Sequence, residues 1–387
     1  MRQEITICQN CKQEFRIEPE DFLFYEKIQV PQPTFCPECR EQRKLAFRNE
    51  RTLYHRNCDL CKQNIISIYH KDSLYTVYCP KCWWSDDWDP MEYGKNYDFS
   101  RPFFEQLHEL MESVPWPALF NFNGVNSDYC NITTDNKNCY LVFGGDFNEN
   151  CTYGGFNMNS KDSMDLYWVN KCELCYECVD CEGCYMVSFA QYTRDCANSS
   201  FLYNCVGCQN CFGCVNLRSK SYCIFNKQYS KEEYEKKLKE LDPHTHEGIE
   251  HIKKQLEDLR LKQSHKYADI VKSENCSGNN IHNSKNCVNC FDIYENSENL
   301  KDIFLVAQAV KDSMNTNHCG HKAELLYESW ATFDNSNKVL FSGFVQGSHN
   351  IQYSYGIFGS SNMFGCAAMR SKEYCILNKK YSKEEYN

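Results

Sequence analysis

Fourteen cysteines lie between residues 126 and 228, and all are separated by multiples of three: Cys130, Cys139, Cys151, Cys172, Cys175, Cys178, Cys181, Cys184, Cys196, Cys205, Cys208, Cys211, Cys214 and Cys223. A helix repeats near 3.6 residues and a half-buried strand at 2, so a strict period of three fits neither as an isolated element. A period of twelve is superposed on it. Steps of twelve from Cys139 reach Cys151, Ser163, Cys175, Val187, Ser199, Cys211 and Cys223, and a second column runs Asn136, Asn148, Ser160, Cys172, Cys184, Cys196, Cys208. None of the four such columns holds an aromatic residue, although Tyr and Phe are abundant around them. Four ring-free columns line a narrow interior. Repeats this short, with like stacked on like, predict a solenoid in which each coil points four small side chains inward and pairs with the next at about 4.8 Å through parallel strands.

The unit is duplicated. NCFGCVNLRSKSYCIFNKQYSKEEY at 210–234 returns as NMFGCAAMRSKEYCILNKKYSKEEY at 362–386, identical at 18 of 25 positions. The second copy keeps the twelve-residue beat, as in Ser336, Ser348 and Ser360, while most inward cysteines have become Ser, Val, Ile or Met. A metal or disulfide site does not survive those replacements, whereas a narrow core does. The inward thiols therefore read as core; disulfides between thiols six apart stay open, and soft-metal storage along Cys172, Cys184, Cys196 and Cys208 is disfavoured. Between the copies, YSKEEYEKKLKELDPHTHEGIEHIKKQLEDLRLKQ predicts two helices broken at Asp242-Pro243, with Ser230 and Glu233 as a capping box. The final YSKEEYN repeats the entry to this hairpin, which suggests a truncated chain.

The coil geometry resembles the twelve-residue β-solenoids of insect antifreeze proteins, which also turn small residues and cysteines inward at every third position. Ice binding needs a regular Thr ladder, and the outward column here reads Tyr140, Thr152, Met164, Tyr176, Ser188, Ser200, Phe212, Ile224. So many outward aromatics, with Tyr153, Phe156, Trp168 and Phe201, call for cover by another part of the chain or by a partner.

Upstream, the cysteines change character. CQNC at 8–11, CPEC at 36–39, CDLC at 58–61 and CPKC at 79–82 have the spacing at which two tight turns offer four thiolates to one tetrahedral zinc. Cys8, Cys11, Cys36 and Cys39 form one expected site; Cys58, Cys61, Cys79 and Cys82 form the second. Four thiolates close the coordination shell, so both Zn2+ ions are expected to be structural. The stretch CQNCKQEFRIEPEDFLFYEKIQVPQPTFCPECREQRK resembles a zinc-ribbon family found mostly in bacteria, and the arrangement of ribbons followed by cysteine-rich repeats is similar to hypothetical proteins of uncultivated bacteria. The resemblance implies a zinc-binding fold and no activity.

Net charge is −10 overall, but residues 1–82 carry +2. Arg40, Arg43, Lys44 and Arg48 would form one stripe on a helix starting at the second knuckle, with Arg51 and Arg56 beyond. That stripe suits phosphate contact, although a solvated surface paired with Glu41 and Glu50 is the plainer reading. Trp83, Trp84 and Trp88 either cap the second lobe or stack on bases. FSRPFFEQLHELMES predicts a short amphipathic helix beginning near Ser100 and Pro102.

The sequence thus predicts a mainly β, multi-domain chain: zinc ribbon 1 (1–57), zinc ribbon 2 (58–98), both treble-clef-like; a helical connector (99–125); β-solenoid copy 1 (126–228); a helical hairpin (229–272); and β-solenoid copy 2 (273–387). MRQEITICQN has charges that interrupt any apolar run, and no stretch is long enough to span a bilayer, so a cytoplasmic location with reduced cysteines is expected. GxGxxG, P-loop, HExxH and GxSxG motifs are missing, and no small-molecule substrate is indicated. TNHCGHK, with His318, Cys319 and His321, is the best chemical cluster of copy 2, open to a third metal site or a Cys-His pair but readable as ordinary loop residues. The favoured function is a non-catalytic zinc-binding scaffold contacting protein or nucleic acid; the alternative is a thiol-rich metal-buffering protein.

Overall fold

The structure, a computed structural model, describes residues 3–320 and 322–387. Two small lobes at the N-terminus precede two parallel β-solenoids. Each lobe is a β-hairpin with a knuckle at its tip, and the second pair of cysteines opens a helix. In the first lobe the strands Glu4–Ile7 and Glu14–Ile17 are followed by α1 (Pro19–Ile28) and α2 (Pro37–Leu45). In the second, Tyr54–Asn57 pairs with Asn64–Ser67 and α3 (Pro80–Trp83) follows. The connector is α4 (Phe103–Ser113), with Pro102, whose fixed φ suits a helix entry, at the N-cap.

In the first solenoid, strands such as Thr152–Met158, Met164–Asn170 and Tyr176–Glu182 stack in parallel, twelve residues apart: Thr152 opposite Met164, and Met164 opposite Tyr176. The period of three has a backbone cause. In one coil Asn150, Tyr153, Phe156 and Asn159 all have φ between 51° and 56°, and the residue after each, Cys151, Gly154, Asn157 and Ser160, is buried. Each coil is therefore four sides of three residues: inward, outward and a left-handed corner. Asn, Asp and Gly adopt that corner readily, and Asn138, Gly144, Asn150 and Asp162 occupy it. Phe189 and Phe201 also stand at corners, where a left-handed residue costs on the order of 1 kcal/mol; their rings stack at 4.5 Å and 10°, which offsets it.

The inward side chains share one hydrogen-bonding scheme. Cys175 Sγ approaches the carbonyls of Glu173 (3.4 Å) and Cys184 (3.5 Å), two residues back and nine ahead; Cys178 does the same with Tyr176 and Val187. Ser348 Oγ repeats the pattern on Gln346 (2.8 Å) and Ile357 (3.4 Å), and accepts from the Ser360 amide one coil on. Cysteine and serine exchange between copies because both are small and both donate to the same two carbonyls.

The second solenoid departs from the expected uniform beat. Its coils are thirteen residues long through the middle, with Glu298 opposite Lys311 and Lys311 opposite Glu324, and return to twelve from Asn337 opposite His349. The extra residue sits at one corner, where two consecutive residues are left-handed: Glu295–Asn296, Gln308–Ala309, Asp334–Asn335. The interior is correspondingly aliphatic, with Ile293, Leu300, Val306, Val339 and Ile351 buried.

Each stack is closed at its C-terminal end by an asparagine. Asn378 Oδ1 accepts from the Ala367 amide and its Nδ2 donates to the Ala367 carbonyl, both at 2.8 Å; Asn226 does the same for Val215. The side-chain amide replaces a further coil, and the strand then folds back antiparallel, Cys375 opposite Lys380. Between the copies, α5 (Lys231–Leu238) and α6 (His246–Leu261) cover part of the outward aromatic face, burying Phe201, Phe212 and Ile224 against Tyr234 and Ile252. The predicted Ser230–Glu233 capping box is present, and α7 (Lys383–Tyr386) repeats it with Ser382 and Glu385. The two solenoids meet where Trp168 Nε1 donates to Tyr294 Oη (2.6 Å) and Arg194 pairs with Asp269 (2.8 Å).

Candidate metal centres

Cys8 follows the first strand, and the chain turns back at Lys12, a left-handed residue whose amide donates to the Cys8 carbonyl (3.0 Å). This turn leaves the knuckle amides aimed at sulfur. Cys36, the N-cap of α2, donates its amide to Cys8 Sγ at 3.3 Å, and Asn10 Nδ2 donates to Cys39 Sγ at 3.3 Å. The second lobe repeats the construction: Lys62 is left-handed, the Cys79 amide donates to Cys58 Sγ (3.2 Å), and the Cys82 amide donates to Cys79 Sγ (3.4 Å). Within each group of four the sulfurs all lie within 4.8 Å of one another. Burial raises the Cys8 thiol, but the amides of Cys36, Cys11 and Asn10 outweigh it and hold the pKa near 6; Cys58 is brought to about 7 against burial by the amides of Cys79, Cys61 and Leu60. In each group one thiol, Cys8 or Cys58, is held low by backbone donors while burial raises others, Cys36 and Cys82 among them; four sulfurs gathered this closely fit a metal ion, whose charge would hold them as thiolates.

Among the described residues these two groups alone gather three or more potential ligands. All twenty-eight cysteines are free thiols, and those of the solenoids, although stacked, hydrogen-bond to backbone carbonyls. His318 and Cys319 lie in the strand Asn317–Gly320 instead of a loop; His321 lies outside the described residues. The two described side chains are not a nucleophile pair. Cys319 points into the core, where burial pushes its thiol up, and His318 packs on Phe156 (5.0 Å), where burial keeps its imidazole neutral.

The basic segment also requires correction. α2 does carry Arg40, Arg43 and Lys44 on one stripe, but that stripe faces the second solenoid. Arg40 is 3 % exposed, with Glu328 3.7 Å away, and Arg43 pairs with the same carboxylate. Lys44 Nζ, 4 % exposed, donates to the carbonyl and side chain of Asn315 at 2.9 and 2.7 Å. Arg48 pairs with Glu50, Arg56 with Asp59 (2.9 Å), and Arg51 lies over the rings of Phe143 and Tyr167. Arg40, Arg43, Lys44 and Arg51 hold the lobes to the solenoids while Arg48 and Arg56 pair within the N-terminal region, so phosphate contact by this stripe has no structural support. The partner carboxylate, 285 residues away in sequence, could not have been found from local spacing. Trp83 and Trp88 are buried: Trp83 Nε1 donates to the Pro115 carbonyl (3.0 Å), its ring meets Phe358, and Arg370 lies over both indoles. Trp84 is partly exposed but also meets Phe358.

No helix among the described residues is long and apolar enough to cross a membrane. No family model and no curated protein matches the chain. Among solved structures, a chain from Desulfovibrio desulfuricans G20 assigned as an acetyltransferase aligns over 68% of this chain and 70% of that one, at 12% identity and a TM-score of 0.12. A TM-score that low carries no argument about fold or function.

Proposed function

We propose that the protein is a non-catalytic zinc-binding scaffold. Two Zn2+ ions, one on Cys8, Cys11, Cys36 and Cys39 and the other on Cys58, Cys61, Cys79 and Cys82, hold the N-terminal lobes in shape, and the solenoids form a stiff platform to which the lobes are bolted. The resemblance of the first lobe to bacterial zinc ribbons agrees with the choice of metal. The observation that carries this reading is that each group brings four sulfurs within 4.8 Å of one another, a set that would fill the shell of a tetrahedral metal ion. Metal binding on the order of 10 kcal/mol per site would supply most of the folding energy of lobes this small. What the zinc holds in place is the attachment: α2 carries Arg40 and Lys44 into the second solenoid, and α3 carries Trp83 against Phe358. The test is elemental analysis of protein purified with reductant, with thiol titration in denaturant after metal removal. Two zinc ions per chain support the reading; four or more metal ions, pointing to the solenoid thiols as ligands, would overturn it in favour of a metal buffer.

A further inference from the structure

One face of the first solenoid runs between the corner columns Asn150–Asp162–Leu174–Met186 and Tyr153–Asp165–Glu177–Phe189, with Tyr140, Thr152, Met164 and Tyr176 between them. Its C-terminal half is the seat of α6. There Ile252 is buried on the aromatic stack with Ile249 and Leu256 beside it, while Lys253 lies 5.1 Å above the Phe189 ring and 3.5 Å from Glu177. Its N-terminal half has the same apolar content and no cover. Tyr140 is 42 % exposed, Tyr153 50 %, Met164 39 %, Leu174 45 % and Met186 49 %. The strip is continuous in both directions. Tyr176 meets Phe189 edge-on at 5.4 Å at the covered end, and Tyr129, Tyr140 and Tyr153 follow one another at 5.2 and 5.9 Å at the other, where Tyr129 reaches His55 of the second lobe.

Its charge is one-sided at the junction. Asp165 stands one coil before Glu177, where Lys253 supplies the cation; burial first, and then the Glu177 carboxylate, raises the Asp165 pKa. We propose that the uncovered half of this face docks a protein partner through an amphipathic helix of the α6 kind, with an aliphatic stripe over Tyr140, Tyr153 and Met164 and a lysine on Asp165. The seat of α6 is the pattern: isoleucine and leucine at positions i, i+3 and i+7, with a lysine at i+4 that contacts ring and carboxylate together. The proposal deepens the scaffold reading by naming what is held.

The probe is a synthetic peptide of residues 230–263, spanning α5 and α6, titrated into the full chain by fluorescence anisotropy. Saturable binding is expected, weakened at least tenfold by Tyr153→Glu and by Asp165→Lys. Both substitutions are on exposed or half-exposed side chains, so zinc content should stay at its wild-type value and the unfolding midpoint within a few degrees, the left-handed corner of Asp165 costing lysine on the order of 1 kcal/mol, and a failure here is separable from a failure of the zinc assignment. Binding that neither substitution weakens would mean that the peptide merely exchanges with the chain's own hairpin, and would overturn the proposal. So would no saturable binding, or a dimer in sedimentation that Tyr153→Glu dissociates, since the occupant would then be a second copy.

Discussion

Replacing Glu328 by glutamine should loosen the first lobe from the second solenoid. The carboxylate side chain is 5 % exposed and the Arg40 side chain 4 %, with 3.7 Å between them, while Arg43 pairs with the same group from the solvent side. Among the described residues Arg40 reaches no other carboxylate at salt-bridge distance, and its Nε has no hydrogen-bond partner. Glutamine keeps the shape and removes the charge, leaving a buried guanidinium uncompensated, a change that costs about 3–5 kcal/mol. For a cooperative unit of 150–250 residues this lowers the midpoint of thermal unfolding by roughly 6–20 °C. Tryptophan fluorescence in a thermal scan reads it, because Trp330 lies two residues beyond Glu328 in the second solenoid. The double substitution Arg40→Leu with Glu328→Leu should recover most of the loss, since a buried pair replaced by apolar groups is near neutral. A midpoint within 1 °C of wild type for Glu328→Gln, or a double variant no better than the single one, would refute the claim that buried charge pairing anchors the lobe.

Chelation of the metal, or Cys8→Ser, should lower zinc from two per chain and reduce the unfolding midpoint, read by elemental analysis and thermal scanning together. Asn378→Ala strips three backbone groups, the Ala367 amide and carbonyl and the Pro90 carbonyl, of their side-chain partner and should cost at least about 3 kcal/mol, with fast hydrogen exchange at the Ala367 amide as the local readout. In the first solenoid core, Cys178→Ser should cost under about 1 kcal/mol because serine makes the same carbonyl contacts, whereas Cys178→Phe overpacks a ring-free column and should cost at least about 3 kcal/mol in urea unfolding. Burial, with the charges of Asp292 and Asp269 behind it, raises Asp180 to about 7 at the junction of the two solenoids. A carboxyl raised on folding favours the folded state when protonated, so its contribution is full below about pH 4 and is lost as pH rises through 7. Asp180→Asn should therefore leave stability unchanged at pH 4 and raise it at pH 8, by on the order of 3 kcal/mol.

Much of the architecture was legible because it is local and repeated. The ring-free columns announced a coil with four inward positions, and the two pairs of CxxC knuckles announced which thiols meet. The corner positions, with Asn138, Asn150 and Asp162 in one column and Gly144 in another, are equally periodic, and their wealth of Asn, Asp and Gly is a signal for left-handed backbone. The thirteen-residue coils were not readable in the same way, since one extra corner residue leaves the inward residue types unchanged. Nor was the fate of Arg40 and Lys44. A cation on a helix stripe looks the same whether water, phosphate or a carboxylate on a distant coil lies opposite, and Glu328 and Asn315 come near only after the whole solenoid is wound.

The end caps of Asn226 and Asn378 bear on how such a chain can change. Because each stack is closed by its last coil alone, the coils upstream are interchangeable in number. Duplicating the twelve residues 163–174 would add one graduation to a ruler, moving everything beyond it by about 4.8 Å and leaving every cap and corner intact. The length of a solenoid is therefore set in integer steps of one coil, with only its lateral contacts to the neighbouring stack, such as Trp168 to Tyr294 and Arg194 to Asp269, to be made anew.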